Sequence, residues 1–339
     1  MRRTNVFTKN ASLQALVRRK AQRRSNPSGK SDCYAALSCA CNDKVSSNIS
    51  YLKNIEEQLK NSQILCARSE AEQIVQHYSR LNRIDYFTGQ KGLSQRAKRS
   101  VEAALKKRVR GKPLSYVLKE KEFFGLKFFV NPKVLIPRPE TEILVEEALK
   151  VMRSLSVTQR RRITMIQPTK VLDLGTGCGC IAVSLTIHRS NCKMTALDIS
   201  SNALEIARKN INFYCSGHKT RLVKSDLFGA FGKTKKGFWD LIVSNPPYVP
   251  SEDFGGLSKE VLSEPPLALN GGPQGLVVID RILDQAPYFM KENGWLLMEI
   301  GCGQAEALAD KISNDLRWKN LRFVKDLNGI ERVLAAQKK

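Results

Sequence analysis

From residue 168 to the end, short β-prone runs alternate with helical stretches, and this alternation narrows the fold more than any other feature of the chain. The runs are 171–174, 194–197, 222–224, 241–244 and 295–300, separated by helical stretches such as 201–212 and 275–290. A strand, a crossover helix and another strand at this pitch give parallel pairing, so a doubly wound α/β sheet is expected. Two last runs, near 321–325 and 332–335, stand too close together for a helical crossover and should pair antiparallel. The expected fold is therefore Rossmann-like, with a mostly parallel seven-stranded sheet ending in an antiparallel strand.

The chain upstream is organised differently. Ile55 and Leu59, then Ile74, Val75, Tyr78 and Leu81, recur at three- and four-residue steps, which predicts helices over 48–110. Ser94 reads as the cap of a helix reaching Val109, with Val101, Ala104 and Leu105 inward and Arg96, Lys98, Arg99, Lys106, Lys107, Arg108 and Arg110 outward. Phe123 to Val130 is aromatic and β-prone around Gly125, and Asn131-Pro132 makes a turn before Val134, Leu135 and Ile136. Short strands in a hairpin connector are expected there. Thr141 to Met152 is again helical, and 153–167 is a polar linker. The boundaries read from these changes are an extension over 1–47, a helical domain over 48–118, a connector over 119–137 and the sheet domain over 138–339. The extension is rich in Arg, Lys and Ser, with disorder as its default reading.

The net charge of +24 is unevenly spread. Residues 1–31 carry nine basic side chains and no acid, whereas 168–339 carry 22 basic and 18 acidic ones. Such a field favours acidic partners, and ribosome or RNA proximity through the basic N-terminal half is one expectation; solvated helix faces are the other. No run of about 18 apolar residues exists, so no membrane role is expected. Nine cysteines without an export signal read as reduced thiols of a cytoplasmic protein. A mitochondrial or other organellar location is the alternative, because an Arg- and Ser-rich, acid-free start also suits a transit peptide. No metal is expected: Cys33, Cys39 and Cys41 lack a fourth ligand at suitable spacing, and Cys178 and Cys180 read as small packing residues.

Val171-Leu-Asp-Leu-Gly-Thr-Gly-Cys-Gly-Cys180 is a strand running into a glycine-rich turn and then a helix. Gly175, Gly177 and Gly179 let the backbone approach a ligand closely. Their spacing differs from the dinucleotide pattern, and Asp173 just before the turn favours a methyltransferase, where a carboxylate engages the cofactor's ammonium through water or directly. Asp198 ends the next strand, 19 residues after Gly179, and suits a pair of ribose hydroxyls. Ile199 beside it suits an adenine face, and Asp226, ending the third strand, suits the adenine amino group. Each acid taken singly also reads as a helix cap or turn residue.

Asn245-Pro-Pro-Tyr248 follows the fourth strand and is the most specific motif of the chain. Asn245 precedes a proline and is held extended, at the carboxyl end of the sheet. The prolines donate no hydrogen bond, so the loop offers carbonyl acceptors, with Tyr248 as a flat wall. That suits a planar NH2 group, whose lone pair is delocalised and must be oriented. The Asn245 side-chain oxygen and the Pro246 carbonyl accept its two protons, and positioning with electrostatics does the work.

Adenine-N6, guanine-N2 and protein-glutamine methyltransferases share Asn-Pro-Pro-Tyr. Three other segments, Gly111-Lys-Pro-Leu-Ser-Tyr-Val-Leu118, Val134-Leu-Ile-Pro-Arg-Pro-Glu-Thr-Glu142 and Glu264-Pro-Pro-Leu-Ala-Leu-Asn-Gly-Gly272, closely resemble the HemK/PrmC family. Trp295-Leu-Leu-Met-Glu-Ile-Gly301 and Asp326-Leu-Asn-Gly-Ile-Glu-Arg332 match as well, so the resemblance runs over about residues 50–337. It implies a class I S-adenosylmethionine-dependent enzyme that methylates the glutamine N5 in the Gly-Gly-Gln motif of class 1 peptide chain release factors; a monomer is a separate expectation. It implies cofactor contacts at Gly175, Thr176, Gly177, Gly179, Asp198 and Asn245, with Cys178 and Leu227 at cofactor positions where the family differs; Asp173, Ile199 and Asp226 join the cofactor site from the reading of the residues themselves. It implies a glutamine pocket at Asn245, Pro246, Pro247 and Tyr248, with Arg138 and Glu140 beside it; an Arg138–Glu140 pair holding the connector is the other reading of those two. Cys178 stands where the family often has Ser or Thr, and Leu227 where some members have Trp.

Two other functions fit parts of the chain. A nucleic-acid amine methyltransferase would suit the charge but would need a base-binding domain, and the N-terminal helices carry few aromatics for stacking. A non-catalytic RNA-binding protein on this fold would not need both Asp198 and Asn245-Pro-Pro-Tyr248.

Overall fold

The computed structural model describes residues 31–88, 91–160, 167–214 and 220–339. They fall into two compact units that divide between Glu102 and Ala103.

The described part of the first unit is helical: α1 (Ser31–Asn61), α2 (Ala67–Ser79), α3 (Arg83–Phe87) and the first half of α4 (Gln95–Val109). Leu52, Ile55, Leu59, Ala71, Ile74 and Val75 are buried, the apolar face that the periodicity predicts. Tyr78 and Leu81 are half-buried. Asn48, itself buried, donates to the Tyr86 and Lys91 carbonyls. Ser94 caps α4 by accepting from the Ala97 amide at 3.1 Å. Helix α1 starts at Ser31, inside the stretch read as an extension over 1–47. Residues 1–30, where the disorder and transit-peptide readings mostly fall, lie outside the described residues.

The division between the units falls within α4. Beyond it come α5 (Leu114–Leu118) and a hairpin of β1 (Glu120–Phe123) and β2 (Leu126–Phe129). Tyr116 of α5 packs in one core with Phe123, Phe128 and Leu144, and its hydroxyl donates to the Val134 carbonyl at 2.6 Å. This packing is why the compact unit begins well before the boundary read at 118/119. The hairpin turn places Phe124 and Gly125 at φ +51 and +70, as a tight two-residue turn requires. Residues 134–136 are not a strand, contrary to expectation. Their backbone is claimed by side chains instead: the Val134 carbonyl by Tyr116 and the Ile136 amide by Glu264.

Helix α6 (Thr141–Arg160) runs on through the first part of the expected linker, because Leu155 still packs on the core. The remaining elements are β3 (Thr169–Leu174), α7 (Cys180–His188), β4 (Cys192–Asp198), α8 (Ser201–Tyr214), β5 (Thr220–Lys224), β6 (Trp239–Ser244), α9 (Lys259–Leu262), α10 (Pro266–Leu269), α11 (Val277–Phe289), β7 (Met290–Glu299), α12 (Ala305–Ser313), β8 (Trp318–Lys325) and β9 (Glu331–Lys338). The sheet order is β5-β4-β3-β6-β7-β9-β8. β9 runs antiparallel to both β7 and β8, and the other pairs are parallel, as the spacing of the last two runs predicts.

Strand order reverses on either side of β3, between β4 and β6. In open α/β sheets this opens a crevice at the carboxyl ends of the strands; here β4 ends on Asp198, and Gly175 and Asn245 directly follow β3 and β6. Two hydrophobic cores lie on the two faces of the sheet. Asn210 of α8 fastens the hairpin to the first: it accepts from the Phe129 amide and donates to the Phe129 and Cys178 carbonyls.

Arg108 departs from the exposed basic face expected of α4. It is 4 % exposed and ion-paired to Glu260 of α9 at 2.7 Å. A buried guanidinium needs such a partner, and Glu260 lies 152 residues away, beyond any helical pattern.

Candidate active site

A cleft of about 230 Å³ opens at the switch point. Its lining comes from the turn after β3 (Gly175, Thr176, Gly177, Cys178), the end of β4 (Asp198, Ile199), the segment after β5 (Asp226, Leu227) and the loop after β6 (Asn245, Pro246, Pro247). Pro137 and Thr141 line it from the entry to α6. Residues spread over more than a hundred positions thus meet in one site.

The glycine turn is built for backbone approach. Gly175, Gly177 and Gly179 have φ of +71, +56 and +84. A Cβ on Gly179 would also come within 3.3 Å of Ala207 of α8, so this glycine sets how closely turn and helix pack. The turn is held from below: the Thr176 amide donates to the Leu197 carbonyl at 2.8 Å. Asp198 holds it from the side. One carboxylate oxygen accepts from the Gly177 amide and the other from the Ser200 amide, both at 2.9 Å. Burial raises the Asp198 pKa, while the amides of Ser200, Gly177 and Ile199 pull it back.

Asp173 lies behind the turn. It is fully buried, does not line the cleft, and accepts from the Thr176 hydroxyl at 2.6 Å. Its Oδ1 has no hydrogen-bond partner among the described residues. Contact with a ligand in the cleft would thus have to pass through the turn or a water, which favours the indirect half of the sequence expectation. Burial pushes Asp173 up to about 7 from its ordinary 3.8. The folded state therefore holds this proton more tightly than the unfolded chain. The associated stability is fully present below pH 3.8 and is lost as pH rises through about 7. Asp173→Asn is expected to flatten that loss, read as a smaller drop in melting temperature between about pH 5 and pH 8; an unchanged drop would contradict it.

Asn245 lines the cleft and donates through Nδ2 to Thr141 Oγ1 at 3.0 Å, leaving Oδ1 as its open acceptor. Pro246 and Pro247 also line the cleft. Tyr248 does not. It is half-buried, and its hydroxyl donates to Glu299 Oε1 at 3.2 Å, so it braces the loop rather than walling the cleft. The Tyr248 carbonyl accepts from Gln304 Nε2 at 3.1 Å, and Gly275, at φ +73, passes so close that a Cβ there would meet that carbonyl at 2.0 Å.

Arg138 and Glu140 do not line the cleft, although their neighbours Pro137 and Thr141 do. Nor do they pair with each other by any hydrogen bond among the described residues. Arg138 is ion-paired to the buried Glu264, whose second oxygen accepts from the Ile136 amide at 2.9 Å. The connector is thus clamped by a residue that the sequence marks only as the first of a motif. Asp226 is 52 % exposed and accepts from Arg281 of α11 at 2.7 Å, a contact no local pattern announces. Leu227 is buried at φ +44, and Ile199 is 45 % exposed on the cleft wall. Cys178 and Cys180 are buried free thiols, packed in the core as expected. Among the described residues no group of three or more His, Cys, Asp or Glu is placed to hold a metal ion, and no helix is long and apolar enough to cross a membrane. Cys33, Cys39 and Cys41 fall in a part of α1 whose side chains lie outside the described residues.

Thr141, Glu264, Glu299, Gln304 and Arg281 are not singled out by the sequence. The first three sit inside recognisable motifs, so a signal is present there without a role to attach to it.

Two families match this chain: the Methyltransferase small domain over residues 161–293 and the PrmC N-terminal domain over 50–118. A release factor glutamine methyltransferase of Nitratidesulfovibrio vulgaris is 35% identical over 290 residues, covering 85% of this chain and 94% of that protein. One from Leptospira interrogans is 36% identical over 291 residues, covering 84% and 96%. Among solved structures, the hMettl16 catalytic domain in complex with MAT2A 3'UTR hairpin 6 aligns over 70% of this chain and 81% of its own, with a TM-score of 0.50 at 16% identity; that likeness is one of fold.

Proposed function

The chain belongs to the family of release factor glutamine methyltransferases, and from that premise we propose that it transfers a methyl group from S-adenosylmethionine to the side-chain amide nitrogen (N5) of the glutamine in the Gly-Gly-Gln motif of a class 1 release factor. The observation that carries this reading is the Asn245 amide, tied by Nδ2 to Thr141 and open at Oδ1, beside a glycine cradle in one cleft.

The residues present fit the cofactor. Three glycines at positive φ offer an open backbone, Asp198 brings a carboxylate to the rim, and Ile199 leaves an apolar surface exposed on the cleft wall, which suits an adenine face. Each Asp198 oxygen already accepts one amide and retains a lone pair for a ribose hydroxyl. When bound, S-adenosylmethionine would supply a sulfonium methyl for the amide nitrogen: the N–C bond forms as the C–S bond breaks, a neutral thioether leaves and one amide proton is released.

The protein's own part is to present that lone pair. A glutamine amide nitrogen is planar and weakly nucleophilic. Asn245 Oδ1 and the Pro246 carbonyl accept its two N–H groups and fix the plane of the amide. They also stabilise the positive charge that grows on nitrogen as the bond forms. Because Pro246 and Pro247 have no N–H, the loop sets no competing donor against the substrate.

The test is methyl transfer from labelled S-adenosylmethionine to a recombinant release factor, beside its Gly-Gly-Gln→Gly-Gly-Ala variant, duplex DNA and bulk RNA. Label on the intact factor alone is expected. Label on nucleic acid alone would reassign the substrate to a base amine.

A further inference from the structure

Behind Asn245 a line of polar groups runs away from the cleft. Asn245 Nδ2 donates to Thr141 Oγ1 at 3.0 Å. Thr141 is 2 % exposed and Glu299, at the end of β7, is 1 % exposed. Glu299 Oε1 accepts from the Tyr248 hydroxyl at 3.2 Å, while Oε2 is buried with no hydrogen-bond partner among the described residues.

An asparagine amide can turn over with almost no change of shape, exchanging its acceptor for a donor. In this cleft the two orientations are opposite in function: Oδ1 receives a substrate NH2, whereas NH2 repels it. Thr141 alone cannot choose between them, since a hydroxyl donates as readily as it accepts. The choice is made by whatever takes the hydroxyl proton. If that proton is committed to a buried carboxylate, Thr141 can only accept from Asn245, and Oδ1 is left for the substrate.

We propose that Thr141 and Glu299 are positioning residues for methyl transfer: ionised Glu299 takes the Thr141 hydroxyl as a hydrogen-bond donor through Oε2, and Thr141 thereby fixes the Asn245 amide with Oδ1 free for the substrate. The proposal rests on the reading of Asn245 as acceptor for the glutamine amide.

Four side chains act on Glu299. Thr141 and Glu140 come from α6 and its entry, Tyr248 from the loop after β6, and Arg332 from β9. Burial pushes the carboxyl up to about 7; the Thr141 and Tyr248 hydroxyls pull it down, Glu140 repels its charge and Arg332 attracts it. Below that pH the line reverses. A protonated Glu299 donates to Thr141, Thr141 donates to Asn245 Oδ1, and the asparagine turns its NH2 to the cleft. Turnover should therefore fall as pH drops through about 7 while cofactor binding does not.

The experiment is the single-turnover rate of release-factor methylation across this pH range, with binding of S-adenosylhomocysteine by calorimetry as the control for folding. Thr141→Val should lower the rate roughly tenfold to a hundredfold with binding unchanged, and Thr141→Ser should restore most of it. Glu299→Gln, which cannot ionise, should lose the acid limb. A Thr141→Val rate near that of the unsubstituted enzyme, or an acid limb kept by Glu299→Gln, overturns the proposal. Should Glu299→Gln fail to fold, the valine and serine variants decide it. Asn245→Ala measured alongside separates the two levels: if Asn245→Ala alone loses activity, only the relay fails, and if none of the variants does, the reading of Asn245 fails with it.

Discussion

Asn245→Ala is expected to lower methyl transfer by roughly a hundredfold to a thousandfold, the effect of removing one aligned hydrogen-bonding group from a transition state. The loss should fall on kcat. The side-chain oxygen matters little to a bound, planar glutamine amide and much to one whose nitrogen is gaining charge, so removing it raises the barrier more than it weakens binding. Cofactor affinity should change far less, because the glycine turn and Asp198 remain. The backbone should hold too: the loop after β6 is fixed at Tyr248 by Glu299, Gln304 and the close passage of Gly275, none of which involves the Asn245 side chain. Steady-state kinetics with a release factor, together with calorimetry, measure both quantities. A rate within a few-fold of the unsubstituted enzyme would mean that the Pro246 carbonyl suffices and that the account of amide orientation is wrong.

Asp198→Ala is expected to weaken S-adenosylmethionine binding on the order of 100-fold, from the loss of two hydrogen bonds to a charged group. The geometry makes the effect twofold in origin. The same carboxylate that faces the cleft also accepts from the Gly177 and Ser200 amides, so its removal takes away the ribose acceptor and frees the turn. Asparagine is no conservative replacement here. Both oxygens accept a backbone N–H, and an amide would set its own NH2 against one of them. Asp198→Asn should therefore bind almost as poorly as Asp198→Ala, and calorimetry of the two variants checks this. Near-native affinity in the asparagine variant would show that one oxygen carries the site. A circular dichroism melt guards against unfolding, since the buried carboxyl stabilises only the turn it touches.

Asn245 and Asp198 are legible in the amino-acid sequence because each stands at a strand end, where the period of the chain fixes the backbone. Alternating runs and helices determine a doubly wound sheet. A glycine-rich turn after β3 and Asn-Pro-Pro after β6 then must fall at the carboxyl edge, whichever way side chains pack. The antiparallel β9 is likewise determined, by a connection too short for a helix. Chain-local information is enough for such statements, since φ preferences, proline and hydrophobic period act over a few residues.

Side-chain partnership is different, because it is settled by packing between elements far apart in the chain. Arg138 found Glu264, 126 residues on, rather than its neighbour Glu140; Asn245 found Thr141, 104 residues back; Asp226 found Arg281. Residues 134–136 gave up a strand because Tyr116 and Glu264 claimed their backbone groups, and Arg108 left the basic face of its helix for Glu260. Except in the exposed Asp226–Arg281 pair, a buried polar group must be satisfied by whatever donor or acceptor the packed elements bring within about 3 Å, and that distance is set by the fold as a whole. Local chain preferences are enough to bring particular backbone sites to the cleft. Which carboxylate is clamped, which is left to ionise and which way an amide points depended on packing, because those choices compare partners that meet only once the sheet has formed.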